Sequence, residues 1–178
     1  MSLKVFTDII IQYIFEESVF DPSKLSMTAE EAKCNGSTKD NMCKYTTDMI
    51  NNMLVNILLP RFKYLLTEED PVPLFALKLI SALTDRSDHF VSIIEKLGIL
   101  PIITDYYSFG HKRLNQHTIK VIKSVIESPE IPLEALYGYE VIENTLSIIE
   151  NMLEQHQVCY SETLVDVLQS IIDKVASH

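Results

Sequence analysis

Apolar residues recur at helical spacing along most of the chain. In residues 4–17, for example, Val5, Ile9 and Tyr13 fall four positions apart, which places them on one stripe of an amphipathic α-helix. The same spacing predicts further helices over 44–58, 61–66, 73–85, 88–97, 99–107, 114–127, 131–138, 141–153 and 161–175. At 178 residues the chain is long enough for one buried core. We therefore expect a single all-α domain over 1–178.

The segment 18–43 interrupts this pattern with a long polar stretch. It contains Pro22, Gly36 and several Ser, Thr and Asn residues, with room for one short helix over 28–34. Long loops in compact domains are either functional or disordered. The sequence thus leaves two interpretations open, a mobile insertion or a binding element.

The predicted helices form an internal repeat. The pairs that open three of the short helices lie 41 residues apart each time: Leu59-Pro60, Leu100-Pro101 and Val141-Ile142. Each pair opens a unit that consists of a first helix and a longer apolar helix after it. Neither helix can bury its apolar residues alone, so successive units must stack. A period near 41 fits armadillo or HEAT units, which run about 40–47 residues.

The stretch 98–128 resembles an armadillo unit. Gly98, Leu100 and Pro101 match the start of that pattern, and a short apolar helix, a polar turn and a longer apolar helix follow. The asparagine usual near the end of the third helix is absent, with Glu127 in that region. The resemblance implies a right-handed, armadillo-like superhelix of about three to four degenerate repeats. Whether the geometry is armadillo or HEAT depends on whether 87–97 and 131–138 act as separate first helices.

A second resemblance is carried by residues 68–103. The run EEDPVPLFALKLISALTDRSDHFVSIIEKLGILPII is similar to the C-terminal helical-repeat region of Fused-type and Unc-51-like kinases, including the pseudokinase member of that group. This resemblance implies a noncatalytic fragment of a kinase-like signalling scaffold. The sequence contains no glycine-rich loop, HRD or DFG motif of a kinase domain.

Charge and composition narrow the classes of partner. The net charge of −10 repels a phosphate backbone, so we expect no nucleic acid partner. No run of 18 apolar residues occurs, so we expect no membrane-spanning helix. The three cysteines, at 34, 43 and 159, have no regular spacing, which favours reduced thiols in a cytoplasmic protein over a disulfide framework or a metal site.

Motifs that carry catalysis are missing from the sequence. No HExxH, GxSxG, CxxC or Walker sequence occurs. His89, His111, His117 and His156 each stand near a turn or helix end, where solvated histidines are common. Cys159 three residues after His156 is weak support for a nucleophile and base, because no oxyanion site accompanies the pair. We therefore expect no enzyme and no cofactor.

A superhelix of this type presents a groove lined by its longer helices, where peptides or partner helices bind. The polar positions predicted to face that groove include Lys78, Asn115, Lys120 and Lys123. Lys120 and Lys123, three residues apart, suit an acidic peptide on an otherwise acidic chain, although a solvated helix face explains them equally well. The function that follows is a protein-interaction scaffold.

Tyr106 and Tyr107 lie beside the polar turn 108–113. Exposed aromatic residues anchor interfaces because they bury a large area at low entropic cost. The two tyrosines are therefore either partner contacts or packing between neighbouring repeats. The alternative to a scaffold is a structural segment that packs against other repeats of a larger chain or self-associates; the sequence does not decide the oligomeric state.

Overall fold

The computed structural model describes residues 3–16, 49, 52–156 and 160–177, and every regular element in these ranges is helical. The fold is an all-α helical repeat, as the sequence predicts. The predicted loop over 18–43, with its short helix over 28–34, lies outside the described residues, as does most of 44–52. No described helix combines the length and apolar character that crossing a bilayer requires.

Nine α-helices can be numbered in chain order within the described ranges. They are α1 Leu3–Glu16, α2 Phe62–Thr67, α3 Val72–Arg86, α4 Asp88–Lys96, α5 Leu100–Tyr106, α6 Gln116–Glu127, α7 Leu133–Gly138, α8 Val141–Glu154 and α9 Ser161–Ala176. A π-helical segment, Met53–Leu58, and a 3-10 turn, Leu59–Arg61, lead into α2. The prediction of an α-helix over 44–58 is thus wrong for its described end, which is wound as a π-helix.

Short polar signals set the helix boundaries. Ser87 caps α4, and its hydroxyl accepts a hydrogen bond from the His89 backbone N–H at 3.3 Å. Gly98 ends the same helix with a φ of +64°, a conformation that residues with a Cβ rarely adopt. A Cβ on Gly98 would also lie 2.9 Å from Lys63 Nζ. The helix α4 therefore ends at a position that favours glycine.

The long helices form one row. α1 packs on α3, α3 on α6, and α6 on α9. The helices α2, α5 and α8 each pair with the long helix that follows them and make a second layer. The apolar core lies between the two layers, so α6 is covered on both sides by neighbouring long helices.

The 41-residue repeat is present in the packing. The residues that open the three units are fully buried, and so are the residues seven positions later: Leu59, Leu100 and Val141, then Leu66, Tyr107 and Ile148. The short helices α4 and α7 precede α5 and α8, so each of the last two units contains three helices. Equivalent sequence positions therefore occupy equivalent places, which confirms the repeat.

Candidate partner-binding surface

The outer surface of the helix row carries paired charges rather than a field of one sign. Lys78 of α3 lies at an ion-pair distance of 2.7 Å from Asp8 of α1, and both side chains are partly exposed. Lys123 of α6 makes a 2.8 Å ion pair with Glu127 one turn later. Two of the three predicted groove lysines therefore already have a carboxylate partner.

The environment of Lys123 extends to the neighbouring helices. Its hydrogen bond to Glu127 is the main cause that raises the pKa of the ammonium, although partial burial acts in the opposite direction. Asp166 of α9 and Asp85 of α3 add smaller attractions that also raise the pKa. This lysine thus lies among carboxylates from three adjacent helices of the row.

Lys120 differs from these two lysines. It is exposed, and the part of the chain that the structure describes provides no ion pair for it. His117 lies one turn away and is half-buried. Burial is the main cause that lowers the pKa of His117, and the charges of Lys120 and Lys78 lower it further. The two lysine charges therefore act on His117 in the same direction as its burial.

Asn115 has a structural role at the start of α6. Its side-chain oxygen accepts hydrogen bonds from the backbone N–H groups of His117, at 2.9 Å, and Thr118, at 3.2 Å. Its amide nitrogen donates to the Arg113 carbonyl at 3.0 Å. These bonds satisfy helix N–H groups that have no partner within the helix. Asn115 is therefore an N-cap.

The two tyrosines are buried, with 5% of Tyr106 and 0% of Tyr107 exposed. Tyr106 donates a hydrogen bond from its hydroxyl to the Leu66 carbonyl at 2.7 Å, and Tyr107 shares one with the Thr145 hydroxyl at 3.0 Å. Each bond joins one unit to the next. The prediction that these rings contact a partner does not fit this burial, and packing between repeats describes both.

A cluster of hydrogen bonds surrounds Arg113 in the polar turn 108–113, where the sequence pattern does not predict it. The guanidinium donates through Nη1 to the Leu66 carbonyl and, at 2.6 Å, to the Tyr106 hydroxyl. Through Nη2 it donates to the Glu68 carbonyl at 2.6 Å. His111 stacks on the Tyr106 ring, with 5.0 Å between the ring centroids. The turn of one repeat thus caps the C-terminal end of α2 in the preceding repeat.

Lys174 near the end of α9 caps another helix of the preceding repeat, the long helix α6. Its ammonium donates to the carbonyls of Ile126, at 2.7 Å, and Ser128, at 2.8 Å, at the end of α6. Ser170 donates to the Glu127 carboxylate at 2.9 Å beside it. Burial lowers the pKa of Lys174. No local sequence pattern indicates either cap, since the bonded partners lie more than 40 positions away.

An open cavity of about 330 Å³ lies between α5 and the start of α8. Its lining includes Thr104, Asp105, Tyr139, Glu140 and Asn144. It brings together two carboxylates without a histidine, lysine or cysteine. In the described residues no group of three or more His, Cys, Asp or Glu could hold a metal ion. Cys159, considered with His156, lies outside the described residues.

Comparisons with known proteins relate the first half of the chain to a family of HEAT repeats. A family model described as "Serine/threonine-protein kinase ULK4-like, HEAT repeats" matches residues 1–92. The chain is 29% identical over 83 residues to serine/threonine-protein kinase ULK4 of Mus musculus, which covers 47% of this chain and 6% of that protein. No solved structure matches.

These matches confirm the resemblance to the Unc-51-like group that residues 68–103 indicate. The family model describes HEAT repeats and not a kinase domain, so the matched region corresponds to a repeat scaffold. The chain spans only about 6% of the length of the curated relative. Because the family model covers 92 of the 178 residues, the chain belongs to the family of ULK4-like HEAT repeats.

Proposed function

We propose that this chain is a noncatalytic protein-interaction module, and that an acidic peptide or partner helix docks across the row α3, α6 and α9 at Lys120. The observation that carries this proposal is the contrast among the three predicted lysines. Lys78 and Lys123 are matched by carboxylates, whereas Lys120 is exposed beside His117 without an ion pair among the described residues.

The carboxylate of a partner is the group that this environment favours. The charges of Lys120 and Lys78 both act on His117, so an acid placed near His117 would interact with both lysines. Because these groups are partly exposed, each contact is weak, and affinity must come from an extended interface. An extended face is what a row of stacked repeats presents.

Two further expectations belong to this proposal. The net charge of −10 disfavours nucleic acid as the partner. The match to repeats of a kinase-like protein supports a noncatalytic role, and the three cysteines without regular spacing favour a cytoplasmic location. A module with this role requires no cofactor.

The test is a pull-down from cell extract with the wild-type chain, Lys120→Glu and the matched control Lys112→Glu. Both lysines are exposed, so both substitutions change the net charge equally without removing a buried contact. We expect the partner to be lost with Lys120→Glu and retained with Lys112→Glu. The conservative variant Lys120→Arg should retain it as well.

Retention of the partner by Lys120→Glu would refute the proposed position of the binding face. Loss with both glutamate variants would show that net charge, and not this face, governs capture. We avoid Lys123→Glu here because the new carboxylate would face Glu127 and Asp166, and repulsion would destabilise the fold.

A further inference from the structure

The helices α8 and α9 expose large apolar side chains on one side, which we call the terminal flank. It consists of Leu146 and Leu153 on α8 and of Val165, Ile172 and Val175 on α9, which are 46–71% exposed. Ile142, Ile149 and Leu168 continue the stripe and are partly buried. An apolar patch of several neighbouring side chains marks an interaction site more often than scattered apolar residues do.

The terminal flank points away from the preceding repeat. On α8, Asn144 faces α5 across the cavity, and Leu146 follows two positions later, about 200° around the helix. On α9, Ser170 and Lys174 contact the end of α6. Ile172 is two positions from each of them, again about 200° away. No described residue therefore covers these side chains from the side of α5 and α6.

Acidic side chains line both outer edges of the terminal flank. Glu143 and Glu150 of α8 are exposed along one edge, and Glu162 and Asp173 of α9 are exposed along the other. The one lysine or arginine in these two helices is Lys174, and carbonyls at the end of α6 hold its ammonium. The apolar stripe is thus framed by negative charge.

We propose that the terminal flank docks an amphipathic helix of a partner protein whose apolar stripe is edged by lysine or arginine. The apolar side chains would bury the stripe, as in other helix-in-groove complexes. The acidic edges would select basic flanks and speed association. A second copy of the chain would bring the same acidic edges, so the charge pattern disfavours self-association.

The test uses a fluorescently labelled model helix of about five turns, with leucine at helical spacing and lysine at the edges. A second peptide carries glutamate in place of each lysine. Fluorescence anisotropy with the full chain should show binding of the lysine peptide that weakens as salt screens the edges. The glutamate peptide should bind at least about tenfold more weakly.

Two chain variants locate the site. Ile172→Glu places a charge in the terminal flank, whereas Tyr64→Glu makes the same charge change at an exposed position on α2. We expect Ile172→Glu to weaken the lysine peptide about tenfold or more and Tyr64→Glu to leave it unchanged. Val165→Ser removes apolar area without adding charge and should weaken binding in the same direction.

Several results would overturn this proposal. If Ile172→Glu and Tyr64→Glu bind the lysine peptide equally well, the peptide does not use the terminal flank. If both peptides bind equally well, the acidic edges do not discriminate between basic and acidic partners. The terminal flank is then an apolar packing surface like those between successive repeats. If sedimentation equilibrium shows a dimer that Ile172→Glu dissociates, the occupant is a second copy. None of these results depends on Lys120.

Discussion

Tyr107 and Thr145, 38 positions apart, share a buried hydrogen bond of 3.0 Å between their hydroxyl groups. The Thr145 hydroxyl also donates to the Val141 carbonyl at 2.7 Å, so the Tyr107 hydroxyl must donate to Thr145. One polar contact thus connects the C-terminal end of α5 to the second turn of α8. Because Tyr107 and Thr145 are both fully buried, a hydroxyl that loses its hydrogen-bond partner at either residue cannot bond to water instead.

Tyr107→Phe should lower the free energy of unfolding by about 0.5–1.5 kcal/mol, since Thr145 keeps its bond to Val141. Thr145→Val should cost more, about 1–3 kcal/mol, because it leaves the Tyr107 hydroxyl buried without an acceptor. Urea denaturation of both single variants and the double variant measures the coupling. If the two single effects add within about 0.5 kcal/mol, the bond does not couple the repeats.

Alkaline pH should destabilise the fold through the buried hydroxyl of Tyr107. Burial raises the pKa of Tyr107 to about 12 from 10.0, although its hydrogen bond to Thr145 acts in the opposite direction. The folded state therefore holds this proton more tightly than the unfolded state. The protonated Tyr107 therefore contributes about 3 kcal/mol to the free energy of unfolding. This contribution is fully present below pH 10 and is lost as the pH rises from 10 to about 12.

Urea denaturation across this pH range tests that expectation in wild type and in Tyr107→Phe. Other tyrosines and lysines titrate equally in both chains, so the difference between their slopes isolates Tyr107. The slope of the unfolding free energy against pH reports the number of protons released on unfolding. For Tyr107→Phe this number should be smaller than for wild type by up to one proton. Equal slopes would show that Tyr107 ionises in the folded chain as easily as in the unfolded chain.

Arg113→Lys should destabilise the chain by about 1.5–3 kcal/mol. Lysine keeps the charge but cannot reproduce the planar fork that reaches Leu66, Glu68 and the Tyr106 hydroxyl together. The adjacent Lys112 is exposed, so Lys112→Ala should stay within about 0.5 kcal/mol of wild type. Thermal and urea denaturation of the two variants make the comparison. Equal, small effects would mean that the cap adds nothing to stability.

The fold could be predicted because its determinants are local and repeat. Apolar residues at helical spacing define the helices, and Leu59, Leu100 and Val141 recur at intervals of 41 residues. The place of Tyr107 also follows from this repeat, since it occupies the register of Leu66 and Ile148. Of the two interpretations that the sequence leaves open for Tyr107, this register favours packing between repeats.

The connections between repeats could not be predicted in the same way. Arg113 contacts carbonyls 45 and 47 positions away, and Lys174 contacts carbonyls 46 and 48 positions away. Backbone carbonyls carry no sequence identity, so no pattern marks them as partners. The ion pair between Lys78 and Asp8 could not be predicted for the same reason, since the two residues lie 70 positions apart.

Asn115 offers a test that separates a structural role from partner binding. Asn115→Ala should cost about 1 kcal/mol, because it leaves the backbone N–H groups of His117 and Thr118 without their acceptor. Asn115→Ser keeps an uncharged capping oxygen and should restore most of that stability. Urea denaturation measures the free energy, and the pull-down used for Lys120 measures partner capture. If Asn115→Ser restores stability yet loses the partner, the amide itself contacts that partner; if both are restored, Asn115 acts through the N-terminus of α6.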